Sequence, residues 1–160
     1  MATVTVISPV TGKPVEHKRV AAYCRVSSNS ADQNNSYQAQ IRYFTRHIKA
    51  NRDWELVDIF ADEGISGTSA EKRDDFNRMI TMCELKQIDL ILTKSVSRFA
   101  RNVKETLEYV RKLKLLGVGV VFQKEGINTL SMGDEMLLNT FSAIAQEESV
   151  SISQNIRFSI

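Results

Sequence analysis

The 160-residue sequence is poor in several residues, and each shortage excludes something. It has two cysteines, Cys24 and Cys83, far apart and without a Cys-x-x-Cys pair. They build neither a disulfide framework nor a zinc cluster, and a reducing cytosol fits that usage. No apolar run approaches the roughly 18 residues that suggest a membrane-spanning helix. The opening MATVTVISPVTGKPVEHKR lacks a basic region followed by an apolar core, so it is not a signal peptide. Of the two histidines, His17 lies near the N-terminus and His47 among arginines and lysines. Neither has the neighbours of a Ser-His-Asp triad or a metal site. No Gly-x-Gly-x-x-Gly or Walker loop occurs; Gly117-Val-Gly119 follows a helical pattern rather than preceding one. The paired acids Asp74-Asp75 and Glu147-Glu148 are adjacent, so on a helix they diverge. Met79 and Met82 read as core or helix surface, not as ligands. No cofactor and no metal is expected.

What is present is an ordinary globular composition, 42% hydrophobic and 25% charged. That supports one buried core and excludes global disorder. The net charge of +2 is small, but it is unevenly spread. Residues 94–114 carry a net of +5, and residues 125–160 a net of −4. A basic stretch attracts phosphate, although most charge runs are solvated helix faces.

Both prolines fall in residues 1–17, which read as a flexible N-terminal arm. From there strand and helix patterns alternate. Arg19 to Cys24 reads as a buried strand. Asn29 to Asn35 is a polar loop, and Tyr37, Ile41, Phe44 and Ile48 mark an amphipathic helix over about 36–50. Trp54 to Phe60 is a second strand, and the glycine-containing loop after Asp62 follows it. Phe76, Met79, Ile80 and Cys83 mark another helix, and Ile88 to Leu92 a third strand. Asn102 is placed to cap a helix with Glu105 three residues on. Val103, Leu107, Val110 and Leu113 form its stripe, and Gly117 stops it. Val118 to Phe122 is a fourth strand. A long helix then runs from about Gly133 to the end.

This alternation predicts an α/β fold, a mainly parallel four- to five-stranded sheet flanked by helices. Residues 18–130 form the core, and 131–160 a long C-terminal helix for oligomerisation. At 1.5 Å per residue that helix reaches about 40 Å, more than a small sheet covers. Leu137, Phe141, Ile144 and Ala145 are expected to pack on the body. Ile152, Ile156 and Ile160 continue the stripe and want a partner helix.

In parallel sheets, functional residues gather at the C-terminal strand ends. That rule selects 25–30, 62–73 and 93–101. Ser27 lies two residues after Arg25, on one face if the strand continues. Arg98 and Arg101 are spaced i, i+3, as neighbours on a helical turn would be. Arg73 ends another loop at the same edge. Four arginines and a hydroxyl suit a phosphate, since guanidinium groups bind its oxygens bidentately and stay charged. The bland alternative makes Arg73 and Arg98 surface ion-pair partners.

The segment Tyr23-Cys-Arg-Val-Ser-Ser28 resembles the signature of the serine recombinases, the resolvase/invertase superfamily. The resemblance continues in order through Ser36-Tyr-Gln-Ala-Gln40, Phe60-Ala-Asp-Glu-Gly-Ile-Ser-Gly-Thr68, Lys72-Arg-Asp-Asp-Phe76, Lys94-Ser-Val-Ser-Arg-Phe-Ala-Arg-Asn102 and Ala143-Ile-Ala-Gln-Glu-Glu-Ser149. The loop after Asp62 and the arm look most like the large serine recombinases, the phage integrases and transposon recombinases.

The resemblance implies that Ser27 attacks a DNA phosphodiester, leaving a 5′-phosphoserine link and a free 3′-hydroxyl. It implies that Arg25, Arg73, Arg98 and Arg101 surround the phosphate. Gln40 matches a glutamine near the site, Asp62 and Ser66 match a mobile loop beside it, and Ser28 adjoins the nucleophile as a further candidate phosphate contact. Covalent storage of the bond energy removes the need for ATP, and the family needs no metal. The implied partners are double-stranded DNA and further copies of the chain, a dimer that becomes a tetramer when active. No membrane is implied, and the setting is the cytoplasm of a bacterium, with the protein encoded by the host, a phage or a mobile element. Relatives continue downstream into DNA-binding domains, so the sequence reads as a catalytic domain cut inside its long helix. Two departures stand out: Ser97 replaces an acid usual in resolvases, and Val150 stands where relatives often have a basic residue. No general acid or base is assigned. The competing readings are a catalytically silent oligomerisation module of this fold, a receiver-like regulator and a serine hydrolase. A receiver needs acids at the strand ends, where this sequence has arginines, and the hydrolase lacks its histidine.

Overall fold

The computed structural model describes residues 17–27, 37–64 and 73–158. The elements are β1 (Lys18–Ser27), α1 (Tyr37–Lys49), β2 (Trp54–Gly64), α2 (Asp74–Glu84), β3 (Leu90–Thr93), α3 (Val96–Phe99), α4 (Val103–Leu115), β4 (Gly119–Phe122), β5 (Ile127–Asn128) and α5 (Asp134–Phe158). A short 3-10 turn, Thr129–Ser131, links β5 to α5. Ser28, Ser66, Ile160 and all of the arm except His17 lie outside the described residues.

The sheet has the order β2-β1-β3-β4-β5. All pairings are parallel except β4 with β5. From β1 the chain steps outward to β2, then back across to β3. That reversal makes the gap between the ends of β1 and β3 a topological switch point, where α/β sheets open a crevice.

Alternation along β1 divides the interior. Val20, Ala22 and Cys24 pack with Phe44 and Ile48 of α1. Ala21 and Tyr23 face the larger cluster beneath α2, α3, α4 and α5. There an edge-to-face aromatic chain runs Tyr23–Phe76–Phe99–Phe122–Phe141, with centroid spacings of 5.1, 5.2, 5.7 and 5.8 Å. Pairs in this geometry contribute about 0.5–1.5 kcal/mol beyond simple burial. The chain ties the end of β1 to the long helix.

Several local signals act as the sequence predicts. The Asn102 side chain accepts from the Glu105 N–H at 2.8 Å, capping α4. Gly117 (φ +79°) ends that helix, with Val118 N–H bonded back to the Leu113 carbonyl at 2.8 Å. This is the left-handed stop that glycine adopts without strain. Leu137 and Phe141 of α5 are buried, with Ile144 and Ala145 packed against the same cluster.

Other features differ. The buried stripe of α1 is Gln40, Phe44 and Ile48, while Tyr37 is 48% exposed. The strands β1 and β2 run beyond the expected Cys24 and Phe60 to Ser27 and Gly64. The short β5 carries no alternation pattern. It exists because Phe122 and Val121 pair with Ile127 and Asn128, and because Thr129 Oγ1 accepts from Val120 N–H at 2.9 Å. Gly119 permits this return, since a Cβ there would lie 2.5 Å from Leu130. No helix among the described residues is long and apolar enough to cross a membrane.

Candidate functional site at the sheet switch point

The Arg25 carbonyl is the meeting point of three elements. It accepts from Arg98 Nη1 at 3.0 Å and from Gln40 Nε2 at 3.4 Å. Thus β1, α1 and α3 converge at the switch point. Strand β1 continues through Ser27, opposite Gly64, so the strand on which the Arg25–Ser27 relation depends does extend that far. Gln40 is buried and holds the rim from below, whereas Arg98 lies on the solvent side.

The two arginines of the third loop do not share one helical turn. Helix α3 ends at Phe99, and Ala100 is extended (φ −142°, ψ 177°). Arg98 is therefore helical, while Arg101 leaves on an extended link before α4 begins. The cause is Asn102, itself extended (φ −151°) to cap α4, which prevents the earlier turn from running on.

Arg73 behaves unlike the others. Its side chain is only 9% exposed. The guanidinium lies 3.7 Å over the Phe76 ring, donates to the Phe99 carbonyl and pairs with Glu105 at 3.5 Å. This is neither the rim-facing arrangement nor the surface ion pair that the sequence allowed. Burial against an aromatic ring favours the weakly hydrated, planar guanidinium.

Asp62 has a role that opposes direct phosphate contact. It is buried, and its carboxylate accepts from Tyr23 Oη at 2.8 Å and from the N–H groups of Asp75 and Phe76 at 3.0 Å each. Asp75 in turn accepts from Ala61 N–H at 2.9 Å. These reciprocal bonds fasten the end of β2 to the first turn of α2, whose free N–H groups favour an anion. Burial, above all, pushes the Tyr23 hydroxyl far above its ordinary pKa, so it stays protonated and donates to Asp62. Burial also pushes the Cys24 thiol up to about 12, which makes it a poor nucleophile at neutral pH.

Three residues that support the site carry roles the sequence does not announce. The sequence pairs Glu105 with the Asn102 cap, whereas the Glu105 carboxylate goes to Arg73. Tyr23, in the signature segment, is the donor to Asp62. Glu125, from the β4–β5 turn, accepts from Val96 N–H at 3.1 Å. Only the acid at position 105, facing α2 on a capped helix, had a local signal. Among the described residues, no group of three His, Cys, Asp or Glu side chains is placed to hold a metal.

Comparison with known proteins agrees with this fold. Residues 20–160 match the family model described as the resolvase N-terminal domain. The chain is 31% identical over 132 residues to the transposon Tn3 resolvase of Escherichia coli, covering 81% of this chain and 63% of that protein. It therefore spans about 63% of that relative's length. It is 26% identical over 135 residues to a resolvase/recombinase of Pseudomonas putida, covering 84% and 67% of the two chains. Among solved structures, the N-terminal catalytic domain of TP901-1 integrase superposes with a TM-score of 0.65 at 30% identity, covering 82% of this chain and 97% of that one. A resolvase family site-specific recombinase from Streptococcus pneumoniae gives 0.64 at 29% identity, with coverages of 89% and 95%. With the match extending across nearly the whole sheet and its helices, this chain belongs to the resolvase N-terminal domain family.

Proposed function

We propose that the chain is the catalytic domain of a serine site-specific DNA recombinase, with Ser27 as nucleophile. The observation that carries this reading is the convergence of Arg98 and Gln40 on the Arg25 carbonyl, two residues before Ser27. In the proposed step, the Ser27 oxygen attacks phosphorus and loses its proton. The bond from phosphorus to the 3′-oxygen breaks, and that oxygen leaves as a hydroxyl after taking up a proton. A 5′-phosphoserine bond replaces the diester. After strand exchange, the 3′-hydroxyl of the new partner attacks, and Ser27 recovers its proton. One ester is exchanged for another throughout, so the chemistry needs no ATP.

Arg25, Arg98 and Arg101 hold the phosphate and stabilise the charge that grows on it. Arg73 joins them when phosphate replaces Glu105 as its anionic partner. Asp62 works from beneath, by fastening β2 to α2. The substrate is double-stranded DNA in the cytosol of a bacterium or phage-infected cell. The active form is an oligomer built along α5, where Met136 and Leu138 are 58% and 43% exposed.

The test is covalent trapping. The full-length protein is incubated with a nicked copy of its recombination site, and adducts that survive SDS are counted. Wild type is expected to give an adduct, and Ser27→Ala none while remaining folded. Residual adduct in the variant would remove Ser27 from the role. No adduct from wild type bound to an authentic site would favour a silent assembly module.

A further inference from the structure

Helix α3 carries Arg98 and is held from below by the buried Val96 and Phe99, but its own turn has few local supports. It is four residues long, and isolated helices of that length do not persist in water. At its start the Arg98 N–H bonds to the Ser95 carbonyl at 3.1 Å. The residue placed to cap it, Ser95, makes no side-chain cap bond. The Ser95 hydroxyl meets the Ser97 hydroxyl at 3.0 Å instead. The N–H of Val96 is satisfied from 29 residues away, by Glu125 Oε1 at 3.1 Å.

Two backbone bonds bring Glu125 to that place. Gln123 N–H bonds to the Thr93 carbonyl at 3.0 Å, and Lys124 N–H to the Lys94 carbonyl at 2.8 Å. They extend the β3–β4 ladder past the strand ends, so the turn before β5 lies beside the start of α3. At the other end of α3, Arg73 donates to the Phe99 carbonyl. The short helix is thus clamped at both ends by side chains from distant elements, and Arg98 projects from its middle to the Arg25 carbonyl.

We propose that Glu125 is a positioning residue for Arg98: its carboxylate anchors the start of α3 and keeps the Arg98 guanidinium against Arg25 at the rim. The inference rests on the recombinase reading for its consequence, but its geometric content stands apart from it. A hydrogen bond from a backbone N–H to a carboxylate is charge-assisted and stronger than a neutral one. Loss of it frees an arginine whose usefulness depends on being placed to within about 1 Å, an error that can cost about a hundredfold in rate.

The experiment compares wild type, Glu125→Ala, Glu125→Gln and Glu125→Asp in the full-length protein. Adduct formation is timed at saturating nicked DNA, DNA affinity is measured separately, and the Arg98 guanidinium is followed by nitrogen-15 NMR. Glu125→Ala is expected to slow adduct formation about ten- to a hundredfold. DNA affinity should stay within about twofold, since a carboxylate adds no attraction for backbone phosphates. Glu125→Gln keeps an acceptor oxygen and should recover to within about threefold of wild type. Glu125→Asp, which draws the oxygen back by about one bond length, should resemble alanine and serves if the alanine variant does not fold. The Arg98 signal should broaden or shift in Ala and Asp and keep its wild-type position in Gln. A wild-type rate in both Ala and Asp, or parallel loss of affinity, would overturn the proposal. So would equal slowing in Gln and Ala. If wild type itself forms no adduct, the recombinase reading fails. The Arg98 signal then decides the positioning claim, and an unchanged signal in the Ala and Asp variants would end it.

Discussion

The two faces of the sheet are covered unequally. On one face α1 alone lays Phe44 and Ile48 over Val20, Ala22, Cys24 and Leu92. On the other, α2, α3, α4 and α5 enclose a larger cluster threaded by five linked aromatic rings. Charge follows the same division. On the crowded side Lys112 pairs with Glu84 at 3.2 Å, and Arg78 with Asp58 at 3.3 Å. On α1, Arg42, Arg46 and Lys49 are exposed at i, i+4 and i+7, and none joins an ion pair among the described residues. The difference teaches where the fold places its rigidity. Packing is concentrated behind α3, the short helix that presents Arg98, while the α1 face supplies one buried amide, Gln40, to the same rim.

Single substitutions can break this comparison. The largest effect is expected at Phe99, which meets Tyr23, Phe76 and Phe122 in edge-to-face contact. Phe99→Ala should destabilise by about 3–5 kcal/mol, with Phe44→Ala at the lower end of that range or below. Among the described residues Phe44 has one such partner, Tyr43. Urea denaturation of both variants decides it, and a larger loss at Phe44 would reverse the ranking of the two faces.

Asp62→Ala leaves the buried Tyr23 hydroxyl and two N–H groups of α2 without their acceptor. Each such orphan costs about 1–3 kcal/mol, and partial relaxation should hold the total near 3 kcal/mol. A loss below about 1 kcal/mol would show that water replaces the carboxylate, and so that the crowded face is less closed than its packing indicates.

Asn102→Ala should cost about 1 kcal/mol by uncapping α4. Hydrogen exchange should rise in the first turn of that helix and stay unchanged in α1. Faster exchange in α1 would mean that the two faces are coupled through the sheet.

The smallest effect concerns pH. At the far end of β1, Arg19 donates to Asp89 at 3.0 and 3.1 Å and holds its carboxyl below the ordinary range. Because the folded value lies below the unfolded one, the pair stabilises fully above the ordinary carboxylate pKa. That contribution fades as pH falls through the depressed value. Both groups are more than a third exposed, so solvent and salt screen the pair. Asp89→Asn should slightly flatten the loss of stability on acidification. A steeper acid limb in the variant would contradict the assignment.

Much of the fold was readable from periodicity. Four strands, four of the helices and the caps at Asn102 and Gly117 follow from residues within a few positions of one another. The rim was readable only as a set of candidates. Nothing near Arg73 announces that its guanidinium turns inward onto Phe76, because its partners, Phe99 and Glu105, come from other elements. The spacing of Arg98 and Arg101 suggested one helical turn, but the demand of Asn102 for extended backbone overrode it. Glu125 carried no local signal, since an acid in a turn is ordinarily solvated.

By itself the sequence determined the order of elements, the parallel sheet, the buried faces and the arginines gathered at the strand ends. These depend on period, capping and turn chemistry, which act between neighbours in the chain. The tertiary structure alone decided which arginine is sequestered, which acid caps which helix, and how a four-residue helix is held in place. Those outcomes depend on contacts between residues 13 or more positions apart, and such pairings exist only once the sheet has brought its strand ends together.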